Sequence, residues 1–124
     1  MLKHVLHTGV AVADLEKAVQ LYESLGFAVH KRFEKPEPKA QVATVKKGGT
    51  AFELWQFVDA GHPLAAFIRN HVAIYSDNLE ADLDALIAQG CKLVIPVTEG
   101  VVMRYGFVQD AAGCCYEIAT EKQA

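Results

Sequence analysis

The sequence contains no long hydrophobic run, although 52% of its 124 residues are hydrophobic. No segment approaches the roughly 18 uninterrupted apolar residues that a membrane-spanning helix needs. The first residues, Met1 to His4, also lack the apolar stretch of a secretory signal peptide. We therefore expect a cytoplasmic protein that has no membrane partner.

Charge of one sign is equally scarce, because 12 lysines and arginines stand against 15 aspartates and glutamates, for a net charge of -3. The densest basic stretch runs from Lys31 to Lys39 and is interrupted by acidic residues and prolines. Nucleic-acid binding needs a clustered basic face, so we expect no nucleic-acid partner. We interpret this stretch as a polar loop.

Cysteine is also rare. The chain has three cysteines, Cys91, Cys114 and Cys115, without Cys-x-x-Cys spacing. An odd number with this spacing makes a poor disulfide framework and suits a reducing compartment such as the cytosol. We expect the three to serve as small buried hydrophobic side chains.

The chain does contain an internal repeat. A shift that takes residue 7 to residue 71 aligns two histidines and also two glutamates, so that His and Glu are equally spaced in both halves. The aligned residues are His7 with His71, Glu53 with Glu117, Leu15-Glu16 with Leu79-Glu80, Gly26 with Gly90, and Gly49 with Gly113. We predict one domain, residues 1–124, made of two modules at 3–57 and 70–119 with a linker at 58–70.

Each module has the pattern of a strand, a helix and three further strands. The first strand is rich in β-branched residues, at 4–12 and again at 71–75. We expect Asp14 and Asp77 to cap the helices that follow, and Gly26 and Gly90 to end them. The other strands are predicted at 28–33, 41–46 and 50–58, and at 92–97, 101–109 and 114–120. The sequence therefore predicts an α+β fold of two βαβββ modules, each too small to bury a core alone.

Strand alternation places each repeated His and Glu on one face with small or aromatic neighbours. A carboxylate in a buried strand is costly unless it is paired or bound to a cation. If the four side chains converge, they make a site of two nitrogens and two oxygens for Zn, Ni, Co, Mn or Fe(II). The four are His7, Glu53, His71 and Glu117. The alternative is two independent hydrogen-bonded His–Glu pairs, one in each module.

Several segments together resemble a known family, over almost the whole chain. They are His7-Thr8-Gly9-Val10-Ala11-Val12 with Asp14-Leu15, Tyr22 to Phe27, Phe52-Glu53-Leu54, His71-Val72-Ala73 with Asp77, and Asp110-Ala111-Ala112-Gly113 leading to Glu117. In these segments the sequence is similar to the vicinal oxygen chelate superfamily. That superfamily includes glyoxalase I, bleomycin resistance proteins, extradiol dioxygenases and fosfomycin resistance enzymes.

The resemblance implies sheets that curve into half-barrels around a pocket, with one divalent metal ion per site. It places the metal ligands at His7, Glu53, His71 and Glu117. A complete His, Glu, His, Glu set is most like glyoxalase I, a lyase that acts on the hemithioacetal of methylglyoxal and glutathione. In that reaction the ion stabilises an enediolate and a glutamate moves a proton between neighbouring carbons. We favour Glu117 as this base, with Glu53 as the second candidate.

Some positions depart from glyoxalase I. Ala11 and Phe57 stand where short enzymes of that type carry the arginine and asparagine that hold glutathione. Trp55, Phe57 and Tyr75 would give the pocket an aromatic lining suited to a less charged substrate, or they pack in the core or a dimer. Arg104 could bind a substrate carboxylate if it faces the pocket, and otherwise is a rim residue.

Three functions stay open at this point. The first is a metal-dependent lyase or isomerase of glyoxalase I type that acts on a small vicinal-oxygen substrate. The second is a non-haem metal dioxygenase, and the third is a metal-free protein that binds drug-like molecules, as in bleomycin resistance. Because related proteins often combine modules of two subunits in one site, we expect a homodimer.

Overall fold

Strands make up most of the structure, and the order βαβββ occurs twice along the chain. The computed structural model describes residues 2–122. Its elements are β1 (Leu2–Ala11), α1 (Leu15–Ser24), β2 (Ala28–Pro36), β3 (Lys39–Lys47), β4 (Thr50–Phe57), α2 (Ala65–Ile68), β5 (Asn70–Ser76), α3 (Leu79–Ala88), β6 (Lys92–Glu99), β7 (Met103–Gln109) and β8 (Cys115–Glu121). The predicted α+β fold class is therefore confirmed. None of the described helices has the length and hydropathy to cross a membrane.

The chain packs as two compact units. The N-terminal unit is His7–Asn70, and the C-terminal unit takes in the described residues before His7 together with those from His71 onward. In the N-terminal unit the strands lie in the order β2-β3-β4-β1. β1 and β4 are parallel, whereas β2, β3 and β4 pair in antiparallel fashion.

Helix α1 covers one face of the N-terminal unit. It begins after Asp14, whose side-chain Oδ1 accepts the Lys17 N–H at 3.1 Å, as the sequence predicts. Its buried side chains, Leu15 and Val19, pack with Ala43, Val45 and Leu54 of the sheet. The opposite face of this sheet is left for the polar residues considered below.

The C-terminal unit repeats this arrangement, with strands in the order β5-β8-β7-β6 and β5 parallel to β8. Leu79 and Leu83 of α3 pack on Val108 and Ile118. The cap of α3 differs from the prediction. Asn78, not Asp77, accepts the N–H of the first turn, from Ala81 at 3.2 Å, and Asp77 instead pairs with Lys3 at 3.3 Å.

Two further predictions are corrected, the loop at 31–39 and the burial of all three cysteines. The stretch 31–39 is not a loop but the end of β2, a two-residue turn and the first residue of β3, because residues 31–36 pair with β3 in an antiparallel ladder. The predicted linker contains the short helix α2. Of the three free cysteines, Cys115 is buried but Cys114 is exposed and Cys91 is half-buried. Burial raises the pKa of the Cys115 thiol.

Candidate metal centre

The first His–Glu pair lies in the N-terminal unit, on adjacent parallel strands. β1 aligns with β4 so that Gly9 stands opposite Glu53, and His7, two residues earlier, shares that face. The Nε2 atom of His7 lies 3.3 Å from Oε1 of Glu53, and each side chain is 12% exposed. The indole N–H of Trp55 donates to the same Oε1 at 2.8 Å. Oε1 of Glu53 thus accepts one indole N–H and lies beside one imidazole nitrogen.

The second pair lies in the C-terminal unit and has the same construction. β5 aligns with β8 so that Ala73 stands opposite Glu117, and His71 again comes two residues earlier. Nε2 of His71 lies 3.0 Å from Oε1 of Glu117, and the His71 side chain is fully buried. The imidazole contacts Phe107 edge to face, with ring centroids 5.0 Å apart.

The donor chemistry of both pairs fits a divalent metal. Each of the four residues offers one ligand atom, an imidazole nitrogen or a carboxylate oxygen. Imidazole and carboxylate together suit Zn, Ni, Co, Mn and Fe(II). A carboxylate this well buried needs a cation or hydrogen-bond donors to offset its lost hydration. In each unit the neighbouring histidine offsets part of this lost hydration. A metal centre and two separate His–Glu pairs would therefore both give the short His–Glu distances seen within each unit.

The three predicted aromatic lining residues have different settings. Trp55 and Phe57 stack at 5.5 Å between ring centroids, on the same face as Glu53. We call these two residues the aromatic pair. Tyr75, in the C-terminal unit, stacks on His4 at 5.3 Å and donates its hydroxyl hydrogen to Glu121. That hydrogen bond raises the pKa of Tyr75 and lowers that of Glu121.

Arg104 lies on the helix-facing side of β7. Its guanidinium donates to both oxygens of Glu80 on α3 and lies 3.3 Å from Glu99. In the same sheet Glu117 stands opposite Phe107, and residues 104 and 107 point to opposite faces of the strand. The condition under which Arg104 would bind a substrate carboxylate beside Glu117 is therefore not met.

Sequence reasoning missed two residues on the face that carries Glu53. One is Trp55 as a hydrogen-bond donor, although a position two residues from Glu53 in a strand shares its face. The other is Lys35, which is only 7% exposed. The alternation of Phe33 and Lys35 with exposed Arg32 and Glu34 could have indicated it.

Similarity searches find methylmalonyl-CoA epimerases in both the curated proteins and the solved structures. The human mitochondrial enzyme is 34% identical over 83 residues, which is 60% of this chain and 47% of that protein. The bovine enzyme is 36% identical over 81 residues, 59% of this chain and 46% of that protein. The matched segment thus spans about half the length of these relatives.

Two solved epimerases share the fold. The structure from Mycobacterium tuberculosis has a TM-score of 0.84 and 24% identity, covering 98% of this chain and 90% of that chain. A Streptomyces coelicolor epimerase variant in complex with 2-nitronate-propionyl-CoA has a TM-score of 0.82 and 22% identity, covering 98% and 96%. These relatives are epimerases and not glyoxalase I enzymes.

The family is identified by the sequence as a whole. The family model of the Glyoxalase/Bleomycin resistance protein/Dioxygenase superfamily matches residues 4–118. This chain belongs to that superfamily.

Proposed function

We propose that this chain is a metal-dependent enzyme that moves a proton at a carbon next to a carbonyl group. The observation that carries the proposal is the repeated His–Glu pair, at 3.3 Å in one unit and 3.0 Å in the other. Packing of a core gives no reason to repeat a buried polar pair on equivalent strands. We propose that both pairs hold one divalent ion, Ni, Zn, Co, Mn or Fe. Its ligands would be His7, Glu53, His71 and Glu117.

The proposed reaction begins with loss of a proton from carbon. When bound, the ion supplies Lewis-acid stabilisation of the negative charge that develops on the substrate oxygens. Glu117 takes the proton from the carbon next to the carbonyl, as a general base. Glu53, fixed by the Trp55 indole, keeps its position and serves as a ligand. The aromatic pair lines the substrate beside Glu53.

The first candidate substrate is a small acyl thioester of malonyl type, and the reaction is epimerisation. Glu117 removes the proton from one face of the carbon, and a proton that comes from solvent is added to the other face of the same carbon, while Glu117 releases its proton to solvent. The similarity to methylmalonyl-CoA epimerases supports this candidate. Ala11 and Phe57 also favour it over a glutathione conjugate, because neither side chain can bind the carboxylates of glutathione.

The second candidate is the glyoxalase I reaction. Here Glu117 removes the proton, exchanges it with solvent and returns a proton to the neighbouring carbon of a hemithioacetal. The full set of two histidines and two glutamates favours it, since this is the ligand set that the resemblance to glyoxalase I implies. Dioxygenase activity and binding of drug-like molecules are the remaining alternatives. Neither of them would exchange a proton at carbon.

The test is hydrogen exchange in deuterated water. Protein loaded with each candidate ion is incubated with methylmalonyl-CoA, or with the hemithioacetal of methylglyoxal and glutathione, and deuterium is followed by mass spectrometry. We expect metal-dependent deuterium incorporation that chelation removes and added metal restores. His71→Ala should abolish it, whereas His30→Ala, at an exposed position on β2, should not.

The alternatives give different results in the same samples. No exchange with either substrate in any metal-loaded protein would contradict the proposal. Oxygen uptake with catechols would support the dioxygenase. Ligand binding that survives both His7→Ala and Glu117→Ala would support the metal-free binding protein.

The organisation of the whole chain is also a proposal. We propose that residues 1–124 form one functional domain, in which the modules 3–57 and 70–119 each supply one His–Glu pair. We further propose that the protein is a homodimer that binds a small molecule.

A further inference from the structure

Thr44 of β3 is a polar residue that is almost entirely buried, with 9% of its surface exposed. It stands directly opposite Glu53 in the antiparallel pairing of β3 with β4. Directly opposed residues of an antiparallel pair point to the same face, with their Cβ atoms about 5 Å apart. The Thr44 side chain therefore lies beside Glu53, on the face of the N-terminal unit that carries the first His–Glu pair.

The hydroxyl of Thr44 makes no hydrogen bond to any residue within the described range, 2–122. In that range, every side-chain nitrogen or oxygen that is completely enclosed by protein does have a partner. The Thr44 hydroxyl is thus not sealed in the core but reaches open space on this face. A hydroxyl that has lost most of its hydration without gaining a hydrogen bond is unfavourable, and a ligand oxygen that accepts from it would remove this cost.

The C-terminal unit has an aromatic ring at the corresponding place. There Glu117 stands opposite Phe107, whose ring packs against His71. This packing explains the phenylalanine. Packing does not explain an unpaired hydroxyl beside Glu53, because valine fills a similar volume in a strand without a polar atom.

The charges around Thr44 indicate what kind of group its hydroxyl binds. Glu53, when ionised, only accepts hydrogen bonds, so it provides no donor for a substrate oxygen, whereas Thr44 provides one next to it. Lys31 of β2 stands opposite Thr44 on the other side and is exposed, so a positive charge lies at the outer end of this row. A hydroxyl donor flanked by a lysine suits an oxygen that carries negative charge.

We infer that the Thr44 hydroxyl is a substrate-binding group that donates a hydrogen bond to a negatively charged oxygen of the substrate. The inference rests on the proposed function, which places the substrate at the ion that Glu53 helps to hold. Two oxygens of a malonyl-type thioester meet this description. The free carboxylate is charged before the reaction, and the thioester oxygen gains negative charge as the proton leaves the carbon.

The test combines calorimetry with the exchange assay on metal-loaded protein. The ligands for isothermal titration calorimetry are malonyl-CoA and acetyl-CoA, which lacks the carboxylate. Thr44→Val removes the hydroxyl and nearly keeps the shape of the side chain, whereas Thr44→Ser keeps the hydroxyl. Thr50→Val, at an exposed position of β4, is the matched control and should bind and react as the wild type does. Bound metal per chain should be the same in all four proteins.

The two oxygens predict different losses in Thr44→Val. If the hydroxyl binds the carboxylate, affinity for malonyl-CoA falls about ten- to a hundredfold and affinity for acetyl-CoA is unchanged. If it binds the thioester oxygen, whose charge forms during the reaction, kcat for hydrogen exchange falls about a hundredfold with little change in KM. In both cases Thr44→Ser should retain most of the wild-type value.

Several results would overturn the inference. They are wild-type affinity and kcat in Thr44→Val, a loss in Thr44→Val that Thr44→Ser shares, loss of bound metal from Thr44→Val, and absence of malonyl-CoA binding by the wild type. If no protein exchanges hydrogen, the proposed function fails, and calorimetry alone decides the inference. A loss of affinity in Thr44→Val then supports it, and equal affinities overturn it. Should Thr44→Val not fold, Thr44→Ala takes its place with the same expected results.

Discussion

Glu53 and Glu117 hold equivalent positions in the repeat but have different neighbours. Glu53 accepts the indole N–H of Trp55. The position equivalent to Trp55 in the C-terminal unit is Ala119, whose side chain has no donor. The hydrogen bond from Trp55 restrains the Glu53 carboxylate, which supports our proposal of Glu53 as a ligand and Glu117 as the base that takes up and releases a proton.

This difference predicts unequal effects of amide substitution. Glu117→Gln should lower the rate of hydrogen exchange about a hundredfold or more, the usual contribution of a general base. Glu53→Gln keeps an oxygen for the ion and should lower the rate less. The measurement is deuterium incorporation per bound metal, with metal content determined on each sample.

Glu121→Gln is the matched control, because Glu121 lies on the same strand and is exposed. It should exchange hydrogen at close to the wild-type rate. A larger loss in Glu53→Gln than in Glu117→Gln would assign the base to the N-terminal unit instead.

For individual residues, strand alternation predicted the face of the sheet but not the contacts of the side chain. The parity of β1 and β4 was enough to put His7 and Glu53 on one face. The hydrogen bond from Trp55 and the burial of Lys35 depend on how side chains fill that face, and no periodicity encodes it. Arg104 was uncertain because its side of β7 depends on register, and the nearby carboxylates of Glu80 and Glu99 then hold it.

Arg104 connects two elements, since its guanidinium on β7 binds Glu80 in the first turn of α3. The hydrogen bonds from Arg104 hold the pKa of Glu80 below its ordinary value. The folded protein therefore binds fewer protons at this carboxylate than the unfolded chain does. The contact stabilises the fold above the ordinary pKa of glutamate, and this contribution is lost as pH falls through the lowered value.

Arg104→Met should accordingly have a lower melting temperature than the wild type at neutral pH, with a small difference because the pair is exposed. The difference should shrink as the pH is lowered through the range in which Glu80 is protonated. Thermal unfolding followed by circular dichroism over a pH series measures it. Lys92→Met, at an exposed position of β6, is the control. A difference independent of pH would show that Arg104 acts through packing alone.

The order of helices and strands was predictable because the spacing of hydrophobic residues and the positions of turn residues indicate the same elements in both modules. Element ends were less so. The cap of α3 is Asn78, since the Asn78 N–H donates to the Ser76 hydroxyl oxygen at 3.0 Å and Ser76 donates to Asp82. With these hydrogen bonds the cap of α3 lies at Asn78, one residue after Asp77. A capping pattern read from sequence does not include such a contact between strand end and helix.

At the scale of the whole molecule, the number of bound ions distinguishes the two interpretations of the His–Glu pairs. If both pairs hold one ion, the protein should bind one per chain, in the monomer or in a homodimer. His7→Ala and His71→Ala should each remove all of the bound metal. Elemental analysis after dialysis against each candidate ion gives the stoichiometry.

Independent pairs would give a different count. If each pair bound its own ion, each alanine variant would keep the ion of the other unit. If the pairs were only hydrogen-bonded, neither variant would bind metal. His62→Ala controls for adventitious binding, because His62 lies in the predicted linker, paired with Glu37. Two ions per wild-type chain would contradict a shared centre.

The bond between Trp55 and Glu53 has one more consequence. Trp55 is the sole tryptophan of the sequence, so all indole fluorescence of the unlabelled protein originates from a ring in contact with a proposed metal ligand. Paramagnetic ions such as Co, Ni and Mn quench nearby fluorophores. The tryptophan fluorescence of this protein should therefore fall when such an ion binds at Glu53, so metal binding can be measured without a dye or tag.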